Sequence, residues 1–168
     1  MIRKLSKLFD MKHIPLTQGM FSIVDDADFE ELSQFKWHAS KRKGGSYAER
    51  SVYQKTRIPK IISMHAQILG NIKGFIIDHI NGNPLDNRRS NLRHATRQEN
   101  SWNSKSRLGT SIFKGVTFHK RIKQFAASIR INGKLLHLGY YRNQEDAAHA
   151  YNAAAVRVFG KFARLNNI

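Results

Sequence analysis

The sequence predicts an α+β chain of two modules. In the first, a small β-rich region precedes a strand–loop–strand–helix unit. In the second, beyond a basic linker, a three-stranded antiparallel sheet packs on one helix. Three observations predict this. Short runs rich in β-branched and aromatic residues recur between polar turns. Residues 78–100, DHINGNPLDNRRSNLRHATRQEN, set a long Asn- and Arg-rich loop between two short apolar runs and close with Thr96 and Glu99 in a helix-start pattern. Residues 112–168 read as strands joined by tight turns, followed by an alanine-rich amphipathic run.

Each element has a local reason. Phe21–Asp26 (FSIVDD) is a short strand, and ADFEELSQF has apolar positions spaced for a helical turn or two. KWHAS and SYAERSVYQ flank the basic, glycine-containing KRKGGS, the pattern of a β-hairpin. Lys41, Arg42 and Lys43 in its loop are either solvated charges or a finger on phosphates. IISMHAQILG is a strand or a helix stopped at Gly70, with His65 a structural histidine among apolar neighbours. Gly74–Ile80 (GFIIDHI) reads as a buried strand, NGNPLDNRRS as loop and NLRHA as the return strand. TRQENSWNSK is a helix with Thr96 as N-cap.

NSKSRLGTS (103–111) is polar and basic without periodicity, which suits a linker. FKGVTFHK, QFAASIRI and KLLHLGYY are three strands, the last two joined by an Asn-Gly turn in INGK. NQEDAAHAYNAAAVRVFG is a helix with Glu145 and Asp146 in its first turn and Gly160 at its end. The modules are therefore 1–102, with a motif core at 74–104, a linker at 103–111, and 112–168.

Charge narrows the partners. The 168 residues carry 29 Lys+Arg against 12 Asp+Glu, a formal net charge of +17. Such a surface repels itself unless it meets a polyanion, and nucleic acid gains most because each neutralised phosphate releases counterions. An anionic membrane is the weaker alternative, and no apolar run is long enough to span one. There are no cysteines, which excludes disulfides and thiolate zinc sites. MIRKLSKLFDMKHIPL is basic but lacks a sustained apolar core and a cleavage site, so it reads as a mature cytosolic N-terminus.

The chemistry concentrates in 78–100. Asp78 and Asn100 are hard oxygen donors at the two ends of this stretch, suited to Mg²⁺ or a similar ion if the helix folds across the hairpin. His79, held by Asn91, is then placed to take a proton from water. An EF-hand fails on spacing, since positions 3 and 5 from Asp78 are Ile80 and Gly82. There is no His-x-x-x-His zinc pair. On the residues alone, a metal site and a plain polar hairpin both stand.

This stretch resembles the HNH motif of homing endonucleases of the phage and intron type: Asp-His, then Asn-Gly, Asp-Asn-Arg, Ser-Asn-Leu-Arg and an Asn in the helix. Residues 15–70 resemble the segment that precedes the motif in those proteins. The resemblance implies a ββα-metal fold that cuts DNA with one divalent ion. It matches Asp78 and Asn100 to the metal ligands, His79 to the general base and Asn91 to the residue that orients it. The last motif position is Asn rather than His, which favours Mg²⁺ or Mn²⁺ over zinc. Arg97, in the first helical turn, is the preferred clamp on the scissile phosphate, with Arg93 also flanking the site. His94 is read as an ordinary strand residue, and Arg88 and Arg89 as contacts to the DNA backbone.

Phe113–Asn166 resembles the plant ethylene-response-factor (AP-two) type of DNA-binding domain, through KGV, AASIR, HLGYY, EDAAHAYNAAA and ARLN. In that family the sheet enters the major groove. Lys114, Thr117, His119, Ser128, Arg130 and His137 fall at or near positions that reach DNA there. Only Arg130 keeps the plant residue type, so base preference does not carry over. Arg121 and Lys123 in the first turn, and Lys105 and Arg107 on the linker, are expected on phosphates. Tyr140, Tyr151 and Phe159 are expected to pack the helix on the sheet.

The resulting expectation is a site-specific DNA endonuclease that nicks double-stranded DNA as a monomer. It would act in the cytoplasm of a bacterial or phage-infected cell. The alternative is a non-catalytic DNA-binding regulator on a degenerate nuclease scaffold.

Overall fold

In the computed structural model, which describes residues 11–54, 58–105 and 109–168, the chain is α+β and divides into two units between Arg97 and Gln98. The first unit opens with a ribbon absent from the sequence reading: β1 (Met11–Pro15) pairs antiparallel with β2 (Phe21–Asp25). Helix α1 (Asp26–Ser33) follows, with Asp26 and Asp28 in its first turn, where the helix dipole favours them. A meander of β3 (His38–Arg42), β4 (Gly45–Val52) and β5 (Lys60–Ser63) comes next, leading directly into α2 (Met64–Leu69). IISMHAQILG is thus both of the expected alternatives in turn, and Gly70 ends the helix at φ 75°. A second antiparallel pair, β6 (Ile76–His79) and β7 (Leu92–Ala95), completes the unit.

The core of this unit joins Ile14 and Val24 of the ribbon to Leu32, Trp37, Met64 and Leu92. The Trp37 indole N–H donates to the Leu32 carbonyl at 2.8 Å, so the largest of these side chains is buried with its polar atom satisfied. The basic hairpin is tighter than expected. Lys41 and Arg42 lie in β3, and Arg42 pairs with Glu49 across to β4, which commits one of the three cations to the sheet itself.

Helix α3 (Arg97–Trp102) has six residues, too few to be stable alone. Its C-terminal end is held within the second unit, where the Trp102 indole stacks on Phe159 at 4.5 Å. The rest of that unit is an antiparallel sheet of β8 (Val116–His119), β9 (Gln124–Ile131) and β10 (Lys134–Tyr141), with β9 central, and helix α4 (Gln144–Phe159) packed on one face. Asn132 and Gly133 both take positive φ, 49° and 80°, as the Asn-Gly turn requires. The Asn143 side chain caps α4 by accepting from the Asp146 N–H at 2.8 Å.

Gly115 allows the helix to approach the sheet. A Cβ there would lie 2.1 Å from the Tyr151 ring and 2.7 Å from the Ser128 carbonyl, and its φ is +77°. Gly115→Ala is therefore expected to destabilise this unit by roughly 3 kcal/mol or more, read as a lowered urea midpoint in the tryptophan fluorescence of Trp102.

Candidate functional site

Strand β6 inverts the expected burial. Ile76 is 36% exposed, whereas Asp78 and His79 are 5% and 7% exposed. GFIIDHI was read as a strand buried by its isoleucines; it is the polar end that is buried. The reason is the loop from Asn81 to Arg88, which folds back over that end instead of projecting into solvent.

Three sets of bonds hold the loop. First, it docks on β2. The Ile23 N–H donates to the Leu85 carbonyl at 2.8 Å, and the Asn87 N–H donates to the Ile23 carbonyl at 2.7 Å. Second, the Asn91 carboxamide closes it from within. Its oxygen accepts the Asn81 N–H at 2.9 Å, and its nitrogen donates to the Asp86 carbonyl at 2.7 Å and to the Asn81 Oδ1 at 3.1 Å. Third, two arginines pin it. Arg88 forks onto the Asp86 carboxylate at 2.7 and 2.6 Å, and Arg89 onto Asp28 of α1 at 2.9 and 2.7 Å. Both arginines were expected on the DNA backbone. Here their guanidiniums are committed to carboxylates, so reaching a phosphate means first giving up an ion pair.

His79 is oriented differently from the expectation. Its Nε2 meets the Asn87 Oδ1 at 3.0 Å, and the Asn87 Nδ2 donates onward to the Ser22 Oγ at 2.8 Å. The carboxamide of Asn91, the expected orienting group, is turned to the loop backbone, so its hold on the site passes through the loop. The rings of His65 and Tyr47 stand edge-on to His79 at 5.3 and 6.1 Å. His65, expected as a purely structural residue, thus flanks the candidate base. Burial is the main cause that lowers the His79 pKa below the ordinary 6.5, against the raising effects of the Asn87 hydrogen bond and the Asp78 and Asp86 carboxylates. The imidazole is therefore neutral near pH 7 and able to accept a proton. Burial, then the neighbouring His79, pushes His65 down to about 4.

Asp78 is paired with Arg93, whose Nε and Nη2 reach the same Oδ2 at 2.9 and 2.7 Å. Arg93 is thus engaged with the candidate metal ligand itself. Among the described residues no three His, Cys, Asp or Glu side chains gather as a metal cluster. The donor set inferred from sequence is one carboxylate and one carboxamide, and this set fits a hard cation that keeps waters and takes phosphate oxygens. Asn100 lies half-buried on α3, in the second unit, and Arg97 is exposed at the start of that helix. His94 bonds the Gly70 carbonyl at 2.9 Å, as befits a strand residue.

In the second unit, the sheet face away from α4 brings together five of the residues expected to reach DNA. Thr117 and His119 lie opposite Ala126 and Gln124, while Ser128 lies opposite His137 and Arg130 opposite Leu135. Their neighbours Val116, Ala127 and Ile129 point the other way, into the helix-facing core. Arg130 donates to the Gly133 carbonyl at 2.7 Å. Tyr140 was expected beneath the helix but stands on this free face, 49% exposed and against the rings of His119 and His137 at 5.8 and 4.4 Å. A bulge between His137 and Gly139 shifts the alternation of β10 and turns the ring outward.

Lys114 departs from its expected role. Its ammonium is turned to the Trp102 and Ser104 carbonyls, and burial, then Arg164, lowers its pKa to about 8. It caps the end of α3, so reaching a phosphate means first giving up these carbonyls. Arg121, Lys123 and Lys105 are exposed. Arg107 lies outside the described residues.

Asn87 was within the quoted motif but read as loop, and its partner Ser22 lies in a strand far upstream. Local pattern offers no signal for such a pair.

Comparison with known proteins finds a family match over the segment that contains these residues. A family model described as HNH endonuclease matches residues 66–102, the span from α2 to the end of α3. The chain is 31% identical over 153 residues to the uncharacterized HNH endonuclease L560 of Acanthamoeba polyphaga mimivirus, covering 90% of this chain and 77% of that protein. It is 43% identical over 63 residues to protein 3.8 of Escherichia phage T7, covering 37% of this chain and 52% of that protein.

Two outcomes follow from the buried charges. Arg93→Ala leaves the Asp78 carboxylate buried without its main partner and is expected to cost about 3–5 kcal/mol, measured by urea denaturation in the presence of EDTA. His65 has a folded pKa below its unfolded one, so the unfolded chain binds the extra proton between them. Stability is then full above pH 6.5 and falls as the pH drops toward 4. A loss of about 3 kcal/mol across that window, reduced in His65→Phe, is the expected result.

Proposed function

The chain belongs to the HNH endonuclease family, and from that premise we propose that it is a site-specific, homing-type DNA endonuclease that nicks duplex DNA with His79 as general base. The observation that carries the reading is the buried Asp78–His79 pair, with a neutral imidazole held by a buried carboxamide, inside the segment that matches the family.

In this proposal His79 takes a proton from a water that attacks the scissile phosphorus in line. The 3′-oxygen leaves, and the products carry 5′-phosphate and 3′-hydroxyl ends. Arg97, exposed on α3, holds a non-bridging phosphate oxygen. Asn91 keeps the loop closed over the base. Asp78 and Asn100 would hold a divalent cation, Mg²⁺ or Mn²⁺, which supplies charge neutralisation at the phosphate and the leaving oxygen. Arg93 competes for the same Asp78 carboxylate and must yield part of it when such a cation binds.

The functional modules are proposed as 1–102 for cutting, 103–111 as a linker that tracks the DNA through Lys105 and Arg107, and 112–168 as an ethylene-response-factor type DNA reader. Support for the reader is the exposed sheet face carrying Thr117, His119, Ser128, Arg130 and His137. The high positive charge predicts binding that weakens steeply with salt. One base and one cation serve one strand at a time, which favours nicking by a monomer.

Plasmid cleavage with Mg²⁺, with and without EDTA, tests the reading. His79→Ala is expected to lose at least about 100-fold in cutting rate while duplex affinity changes less than about twofold. Cutting should hold steady above neutrality and fall on the acid side as His79 takes up a proton, below the ordinary histidine value. Binding without metal-dependent cutting would return the chain to the class of DNA-binding regulators.

A further inference from the structure

Ser22, in strand β2, lies outside the segment that matches the family, yet its hydroxyl is part of the contact chain that reaches His79. Both Ser22 and Asn87 are wholly buried, at 0% exposure. Two groups besides Asn87 stand within reach of the Ser22 Oγ: the Leu85 carbonyl at 3.1 Å and the Met64 sulfur at 3.1 Å. Both can only accept. The single hydroxyl proton must go to one of them, because turning it to Asn87 would leave lone pairs facing lone pairs on both. Ser22 therefore meets Asn87 as an acceptor, and Asn87 must present its NH₂ to Ser22. That fixes the carboxamide with Oδ1 toward His79. An acceptor facing Nε2 requires a proton on Nε2, which leaves the lone pair of the neutral ring on Nδ1.

We infer that Ser22 and Asn87 form a positioning relay that sets the His79 tautomer, so that Nδ1 is the nitrogen that receives the proton in the reaction. Ser22 has no chemistry of its own here. It acts by denying Asn87 its flipped orientation, and Asn87 acts by denying His79 the Nδ1–H form. The Asn87 N–H bond to the Ile23 carbonyl at 2.7 Å ties the same residue to the backbone beside Ser22, so the two cannot drift apart independently. The relay's catalytic consequence rests on His79 being the base; the relay itself does not.

The test is a long-range proton–nitrogen correlation spectrum of the uniformly ¹⁵N-labelled full-length chain at about pH 8, where histidine is neutral. The His79 ring is assigned by the signals lost in His79→Gln. The expected wild-type pattern is the Nε2–H tautomer. A wild-type Nδ1–H pattern overturns the relay outright, whatever any variant does.

Ser22→Ala frees the Asn87 carboxamide to flip and is expected to give a mixture of tautomers. With Mg²⁺ and duplex DNA its kcat should fall by about tenfold with KM little changed, as a smaller share of the base is correctly protonated. Ser22→Thr, which keeps the oxygen, should restore both readouts. A Ser22→Ala chain that is folded and shows the wild-type tautomer and kcat also overturns the relay. If instead the wild-type tautomer is as expected and the wild-type protein cuts no DNA under any condition, the relay stands and the nuclease reading fails.

Discussion

The Asn87 carboxamide is the constraint on which the first unit depends. It is fully buried, it stands between His79 and Ser22, and its own N–H ties the loop to β2. A buried amide costs roughly 1–3 kcal/mol for each polar atom left unmatched, so the loop cannot peel away from the ribbon without a penalty. The same bonds decide that β6 ends in a buried Asp-His pair. Among the described residues no buried side-chain nitrogen or oxygen lacks a partner, which is what allows so polar a centre to persist.

Electrostatics follow from that packing. A chain so rich in cations places few carboxylates, and the first unit uses them as anchors. Asp28, Asp86 and Asp78 each hold an arginine of the loop or its return strand, namely Arg89, Arg88 and Arg93. These pairs mean that Arg88, Arg89 and Arg93 reach a phosphate only by giving up an ion pair, while Arg97 is exposed on a different element. The Asp78 carboxylate in particular already holds the Arg93 guanidinium through one oxygen.

In the second unit the decisive feature is a single extra residue. With strict alternation His137 and Tyr140 fall on opposite faces of β10. The bulge between His137 and Gly139 puts both on the face away from α4. An exposed tyrosine flanked by two histidines is the result, on the same face as Arg130. The helix side is then filled by small residues: Ala127, Ala147 and Ala148 are wholly buried, and Gly115 admits the Tyr151 ring.

Much of this was legible in the sequence because it is written in local rules. Alternation marked β8, β9 and β10, Asn-Gly marked their hairpin turn, and acidic residues with a terminal glycine marked α4. The stretch from Asp78 to Asn100 pointed to one family by its resemblance to a known motif, whereas its spacing alone left a metal site and a polar hairpin both open. What the sequence did not contain was any contact between residues distant along the chain. Ser22 against Asn87, Asp28 against Arg89 and His65 against His79 carry no periodicity and no spacing rule. Nor does a bulge announce itself in KLLHLGYY. The sequence by itself therefore marked most of the elements and the stretch in which the candidate site lies. Only the tertiary structure decided which carboxamide meets His79, which arginines are already paired and which way Tyr140 faces, because those depend on where buried polar groups find partners once water is gone.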